Sequence, residues 1–255
     1  MNPEPLAASA GEWGATPGRV ARSLFFHFTV WTCTVLLGTL CIFGSIFFPK
    51  RAVVQLGALW SWLILKAAGV RLEVRGLEHL SRGCEVLAGN HASNFDIYAL
   101  LLALRPWYFR FVVKKELRYI PVFGWALWAS GFPFVDRGSS PKALKVMEKL
   151  RARMRRTAMK VVLFPEGTRN RDLGLRRFKK GAVVLALDLG VPLVPFVVNG
   201  ARRVQARHKF LVRPGTVRLT FLEPIPTEGL TYQAREKLLS TLRERIYERL
   251  DDDEK

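Results

Sequence analysis

Gly89-Asn90-His91-Ala92-Ser93-Asn94-Phe95-Asp96-Ile97-Tyr98-Ala99 marks the point where an apolar run, Glu85-Val86-Leu87-Ala88, gives way to a helical pattern over Ile97–Leu104. Within it a histidine and an aspartate stand five residues apart. At 3.6 residues per turn, positions i and i+5 of a continuous helix project about 140° apart. The two side chains therefore meet only if His91 sits in a strand-to-helix turn and Asp96 in the first helical turn, with Ser93 or Asn94 as N-cap. A carboxylate on one imidazole nitrogen fixes the tautomer and leaves the other nitrogen free to take a proton. The pattern is that of a general base without a built-in nucleophile, so the hydroxyl it activates belongs to a substrate. Taken alone, one His and one Asp near a turn also suit capping and packing.

The strand–turn–helix alternation continues outward from this stretch. Strands are expected at Arg71–Val74, Glu85–Ala88, Phe109–Val113, Phe132–Val135, Val161–Phe164, Leu193–Val198 and Val217–Leu222. Helices are expected at Phe95–Leu104, Phe123–Ala129, Pro141–Arg156, Gly181–Leu189 and Tyr232–Leu250. Strands alternating with helices predict an α/β fold with a mixed, largely parallel central sheet flanked by helices. In open sheets of this kind, site residues gather at the carboxyl ends of the strands. Val161-Val162-Leu163-Phe164-Pro165-Glu166-Gly167-Thr168-Arg169-Asn170 is such a place, a buried-strand run ending in a polar turn. Two further constellations lie between it and His91. They are Lys114-Lys115-Glu116-Leu117 with Ile120-Pro121-Val122-Phe123-Gly124-Trp125, and Phe132-Pro133-Phe134-Val135-Asp136-Arg137.

With these four stretches in order, the chain resembles the lysophosphatidate (1-acylglycerol-3-phosphate) acyltransferases of the glycerolipid acyltransferase superfamily. The family's His-x4-Asp motif corresponds to His91 and Asp96, and its Lys-x-Glu-Leu…Pro-x-x-Gly segment to Lys114 through Gly124. Its Asp-Arg strand end corresponds to Asp136-Arg137, and its Phe-Pro-Glu-Gly-Thr-Arg motif to Phe164–Arg169. Val191–Pro195 matches its Val-Pro-Leu-Val-Pro. Ala92 departs from the pattern, standing where many members carry Gln. The ordered set spans residues about 70 to 200.

The resemblance implies transfer of a fatty acyl chain from a thioester to the sn-2 hydroxyl of lysophosphatidate, giving phosphatidic acid. His91 is then the base and Asp96 its orienting partner. No Ser or Cys in the motifs is placed as a covalent relay, so direct attack within a ternary complex is expected. The oxyanion is held either by backbone N–H groups at the turn or by Lys114. Arg137 and Arg169 suit the acceptor phosphate, since a guanidinium binds phosphate oxygens bidentately. Glu166, Gly167 and Thr168 complete that phosphate-side segment, with Glu166 suited to orienting a cation or a loop N–H. Another lysolipid, including a lyso-ornithine lipid, is an alternative acceptor, and a non-catalytic basic membrane-binding protein an alternative class. The donor is open between coenzyme A and acyl carrier protein. Neither a metal nor a cofactor is implied beyond that co-substrate.

Composition sets the surroundings of this chemistry. The net charge is +19 over 255 residues. Pro141–Lys160 holds eight Lys or Arg against one Glu, and Asn199–Arg218 six against none. Basic surface attracts anionic lipid, at roughly 1 kcal/mol per Lys or Arg near the headgroups. It would equally attract nucleic acid, but no nucleic-acid-binding motif is present and that partner explains no anchor. Ser23–Phe48 contains no Asp, Glu, Lys or Arg, and Ala52–Val70 is interrupted only by Lys66. About 20 apolar residues suffice to cross a bilayer. Positive residues flank both ends of the first stretch, at Arg19, Arg22, Lys50 and Arg51, so the positive-inside rule gives no clean single span. The expected organisation is a disordered tail at 1–18, a two-helix membrane anchor at 19–68 and an acyltransferase domain at 69–255. The attachment is monotopic or a hairpin, with the catalytic domain on the cytoplasmic side. Three cysteines without metal-type spacing argue for free thiols and no zinc site, and the acidic run Asp251–Glu254 reads as a solvated tail.

Overall fold

Val86–Ala88, Val161–Leu163 and Leu193–Val198 are apolar without polar alternation, as strands covered on both faces must be. They lie side by side at the centre of the sheet. The computed structural model describes residues 15–136, 141–170 and 173–255. The strands are β1 (Val70–Arg75), β2 (Glu85–Gly89), β3 (Phe109–Phe111), β4 (Val113–Lys114), β5 (Phe134–Val135), β6 (Lys160–Leu163), β7 (Leu193–Asn199) and β8 (Gly215–Phe221). The helices are α1 (Pro17–Phe47), α2 (Lys50–Ala68), α3 (Phe95–Ala103), α4 (Phe123–Ala129), α5 (Pro141–Arg156), α6 (Gly181–Leu189), α7 (Ala201–Val204) and α8 (Arg235–Glu248).

Six strands form one sheet in the order β1-β8-β7-β2-β6-β3, parallel throughout except for the antiparallel pair β7–β8. Successive side chains go to opposite faces. Leu87, Val162, Val194 and Phe196 join one core with α2 and α3. Val86, Ala88, Val161 and Val197 join a second core with α5, α6 and α8. The mixed, largely parallel α/β architecture expected from the alternation is therefore the one observed.

Local expectations are corrected at three places. Phe109–Val113 is not one strand: β3 pairs with β6 as far as Phe111, then the chain leaves and β4 pairs with β5 in a separate two-stranded sheet. The helix expected from Tyr232 opens as a 3-10 turn, Tyr232–Ala234, before α8 begins. The tail assigned to 1–18 overlaps a helix, because Pro17 occupies the first turn of α1 and Thr16 Oγ1 accepts from Arg19 N at 3.4 Å. Residues 1–14 lie outside the described residues.

Two helices do form where the anchor was expected, but they differ in character. α1 is the one helix, among the described residues, long and apolar enough to cross a bilayer. α2 is a core helix along one side: Val54, Ile64, Leu65 and Ala68 are buried in the core beneath the sheet. α1 runs back along it, with Trp60 Nε1 donating to Thr34 Oγ1 at 3.0 Å. It also touches the α/β body near both ends. Val212 N donates to Ser23 Oγ at 2.9 Å, and Cys41 Sγ meets Ser130 Oγ at 3.0 Å. These contacts are separated by about 27 Å of helix at 1.5 Å per residue. The opposite face of α1 is bare and apolar, with Phe25, Phe28, Trp31, Leu36, Phe43 and Phe47 all more than half exposed.

Candidate active site

The carboxyl end of β2 is pinned before it turns. Gly89 faces Phe196 of β7 so closely that a Cβ there would collide with its ring and carbonyl. Asn90 then imitates a strand residue with its side chain, donating to Val198 O at 2.9 Å and accepting from Val198 N at 2.8 Å. This frees the backbone of His91 to leave the sheet. Glu166 Oε1 accepts from His91 N at 2.8 Å, and Asn170 N donates to His91 O at 2.8 Å. The His91 turn is thus gripped on both backbone groups by the segment that follows β6.

The imidazole stacks on Phe164, with ring centroids 4.0 Å apart. Its Nδ1 lies 2.8 Å from Asp96 Oδ2. Asp96 is fully buried, and the same oxygen accepts from Ala92 N at 2.8 Å and Ser93 N at 2.9 Å. A carboxylate only accepts, so Nδ1 carries the proton and the Nε2 lone pair is available. No hydrogen bond involves Nε2 among the described residues, and the side chain is 12% exposed. Sequence spacing alone placed the pair correctly. Of the two N-cap candidates, Ser93 Oγ accepts from Phe95 N at 3.3 Å, while Asn94 Oδ1 instead accepts from Arg169 Nη1 at 2.9 Å.

That last contact brings Arg169 to the amino end of α3, beside the His91–Asp96 pair. Arg207 Nη1 holds the Arg169 carbonyl at 2.8 Å. Gly167 adopts a left-handed φ of 75°, and the Lys179 side chain lies over it. Thr168 is half-buried between them. Three cations, Arg169, Arg207 and Lys179, therefore surround the Gly167–Arg169 turn. Arg137 lies outside the described residues.

Lys114 sits away from the turn, whereas Glu166 takes the expected role of orienting a loop N–H, that of His91. Its carboxylate is buried, its second oxygen accepts from Arg176 N at 3.4 Å, and burial pushes it up to about 7, against the lowering effect of the two N–H groups. An anionic carboxylate would repel phosphate; here it positions the His91 backbone. Lys114 is half exposed, and its Nζ rests on Glu116 at 3.4 Å rather than on the His91 turn. The alternative oxyanion donors are constrained as well. Asp96 occupies the N–H groups of Ala92 and Ser93, and Ser93 Oγ occupies that of Phe95.

Sequence reasoning missed Asn90, Asn94, Phe164 and Asn170 as members of the site. All four flank residues it had singled out, and an Asn ending a wholly apolar strand is the kind of polar intrusion that signals a bridging side chain. A cavity of about 510 Å³ lies away from this chemistry. It is lined by Cys84, Met154, Arg155 and Thr157 at the amino ends of β2 and β6, opposite the edge that carries His91. No three His, Cys, Asp or Glu side chains among the described residues converge as a metal site requires.

Residues 71–199 match the acyltransferase family. The chain is 31% identical over 211 residues to the 1-acyl-sn-glycerol-3-phosphate acyltransferase of Haemophilus influenzae, covering 80% of this chain and 85% of that one. It is 30% identical over 213 residues to the protein of the same name from Pseudomonas aeruginosa, covering 82% of each. The human 1-acyl-sn-glycerol-3-phosphate acyltransferase beta is 39% identical over 165 residues, and the match spans 64% of this chain and 59% of the human one. The crystal structure of the 1-acyl-sn-glycerophosphate acyltransferase PlsC from Thermotoga maritima superposes with a TM-score of 0.76 at 23% identity, over 91% of this chain and 95% of that one. That likeness bears on the fold.

Proposed function

This chain belongs to the acyltransferase family, and on that premise we propose that it acylates the sn-2 hydroxyl of 1-acylglycerol-3-phosphate to form phosphatidic acid. The observation that carries the reading is the His91–Asp96 pair at the sheet's carboxyl edge, its Nε2 free, with Arg169 held against the same turn by Asn94. The relatives' shared activity supports the choice of acceptor.

The reaction uses these groups in order. His91 Nε2 takes the acceptor's hydroxyl proton as that oxygen attacks the thioester carbonyl. The imidazolium is stabilised by buried Asp96. The tetrahedral oxyanion collapses, the C–S bond breaks, and the thiolate leaves with the proton returned from His91. No acyl-enzyme forms. The phosphate sits against Arg169, with Lys179 and Arg207 adding positive charge on that side. The donor is the thioester of coenzyme A or of an acidic acyl carrier protein, either of which suits a chain of net charge +19.

The decisive assay offers purified protein a panel of lysolipids, including lyso-ornithine lipid, with both acyl-CoA and acyl-carrier donors. Phosphatidic acid is the expected product, and turnover confined to phosphate-free acceptors overturns the reading. Arg169→Ala gives the finer test. A charge-assisted hydrogen bond contributes about 1.5–3 kcal/mol, so the KM for lysophosphatidate rises about tenfold or more while the donor's changes little. A rise in the donor's KM alone assigns Arg169 to the other substrate.

Attachment to the membrane follows from α1. Held to the body near both ends, it lies along the protein and offers its bare face to one leaflet, a monotopic arrangement. Trp125 and Trp128 of α4, both exposed, extend that face, and α4 packs directly beside α1. Phe26 of α1 stacks on Phe95, the residue before Asp96, which sets the catalytic turn beside the lipid-facing helix. Apolar burial is not screened by salt, so wild-type protein stays on vesicles in 1 M NaCl, an ionic strength with a Debye length of about 3 Å. Trp31→Glu with Leu36→Glu leaves the melting temperature unchanged but reduces binding to a residue that needs anionic lipid and is lost in salt. Stripping of the wild type by salt alone defeats this arrangement.

A further inference from the structure

The acidic segment Asp251–Glu254 is only partly the solvated tail expected: Asp252 and Asp253 are exposed, while Asp251 and Glu254 fold against the back of the site. Asp251 N donates to Asn199 Oδ1 at 3.2 Å, and its carboxylate pairs with Arg203 at 2.6 Å and with Arg218. Asp253 pairs with Arg203 at 2.7 Å. Glu254 is buried, and its Oε1 accepts from Gly200 N, just past the end of β7, at 2.6 Å. Its own carbonyl accepts from Gly174 N at 2.9 Å. Gly174 O in turn accepts from Asn170 Nδ2, and Asn170 N donates to His91 O.

Glu254 thus joins two parts of the fold that the base depends on. One is the end of β7, whose Val198 holds Asn90. The other is the stretch after β6, where Glu166 and Asn170 hold His91 by its N–H and its carbonyl. Between them lies a cavity of about 20 Å³ lined by Asn90, His91, Glu166, Asn170 and Glu254. A space of that size has room for about one water and none for a lipid, so these groups act on His91 from behind.

We infer that Glu254 is a positioning residue for acyl transfer, tying the stretch after β6 to the end of β7 and so fixing the backbone from which His91 meets the acceptor hydroxyl. The inference rests on the acyl-transfer reading. Two features support a role beyond filling space. The side chain is a buried acceptor whose removal orphans the Gly200 N–H. Burial also pushes Glu254 up to about 7, against the lowering effect of the Gly200 N–H and Arg203, with Asp96 and Asp251 adding to the rise. A displacement of about 1 Å in a reacting group can cost about 10²-fold in rate, and a two-bond tether is the kind of restraint that prevents it.

Full-length protein carrying Glu254→Ala, Glu254→Asp or Glu254→Gln tests this. Glutamine keeps an oxygen for Gly200 N, so kcat stays within about threefold of wild type. Alanine removes the acceptor, and kcat falls about tenfold or more with both KM values within about twofold. Aspartate keeps the charge but withdraws the oxygen, and gives an intermediate kcat even if the alanine protein does not fold. Asp253→Ala, which loses only an exposed ion pair, is the control and remains near wild type. Amide exchange supplies a readout independent of turnover: peptides covering 166–176 and 89–96 exchange faster in the aspartate variant than in the glutamine one. Unchanged kcat in folded alanine and aspartate variants overturns the inference. So does loss in glutamine with retention in aspartate, which would mean that charge and not the tether matters. If the wild type acylates no lysolipid, the acyl-transfer reading fails, while exchange still decides whether Glu254 holds the turn.

Discussion

His91→Ala abolishes acyl transfer and leaves the protein folded. The imidazole contributes its stack on Phe164 and its bond to Asp96, whereas the turn's position is set by backbone bonds to Glu166 and Asn170 that alanine keeps. General-base catalysis is worth about 10²–10⁴ in rate, and no neighbouring group is placed to substitute. Asp96→Asn is severe for a different reason. An amide that presents its NH2 to Nδ1 imposes the opposite tautomer and takes the proton acceptor away from the substrate side. An amide that presents its oxygen to Nδ1 and the two turn N–H groups keeps the tautomer but loses the charge that stabilises imidazolium. The asparagine protein therefore retains some activity, and also melts lower, because Asp96 anchors Ala92 and Ser93. Initial rates paired with thermal melts separate the two outcomes. Substantial turnover by folded His91→Ala protein would sink the mechanism.

The largest expected loss of stability lies elsewhere, at the opposite ends of the same strands. Glu85 and Lys160 face each other in register on β2 and β6, both essentially without solvent exposure, and form an ion pair. Lys160 Nζ also donates to Ser81 O at 2.8 Å and Gly83 O at 3.3 Å, while Glu85 Oε1 accepts from Ser81 N at 2.9 Å. Removing one partner of such a pair leaves a buried charge uncompensated, at about 3–5 kcal/mol. Native domains hold about 5–15 kcal/mol in total, so Glu85→Ala or Lys160→Ala brings the fold close to its limit. Replacing both together, Glu85→Leu with Lys160→Met, recovers most of the loss, since well-packed apolar groups often match a buried pair. Denaturant melts of the two singles and the double form the cycle. A double variant no better than the worse single would show that the Ser81–Gly83 loop, and not the pair, is what these residues hold.

That ion pair also marks where the sequence was hard to read. Lys160 closes a run of basic residues and looks like one more solvated charge; its partner is 75 residues away. Periodicity records which face of an element is covered, and it located the strands, most helices and the catalytic turn. It carries no information on which charges meet once parallel strands are set in register. Arg110 is the same case, fully buried over Tyr108 and Phe132 with its guanidinium on the carbonyls of Phe109 and Lys50. The acidic segment after α8 misled for a related reason. Four acids in a row usually repel one another into solvent, as Asp252 does, but Arg203 and Arg218, brought in by α7 and β8, pair with Asp251 and Asp253 and let Glu254 turn inward. Lys114 was read from a motif that names the residues of the site without saying which way each faces.

The outer strand β1 has a consequence for how the molecule comes to exist. Its neighbour in the sheet is β8, so Val70 waits for Gly215 and almost the entire domain intervenes. Such a non-local closure is slow, because the loop entropy is lost before the pairing is gained. A chain emerging from the ribosome has α1 and α2 complete, and β1 with nothing to pair against, until the last fifth of its length is made. During that interval β1 is an open edge and α2 an uncovered apolar stripe, both prone to the wrong partner. In the monotopic arrangement proposed above, an early resting place for α1 on a lipid surface would keep this incomplete chain out of solution, so that the helix serving the finished enzyme would first act as its nursery.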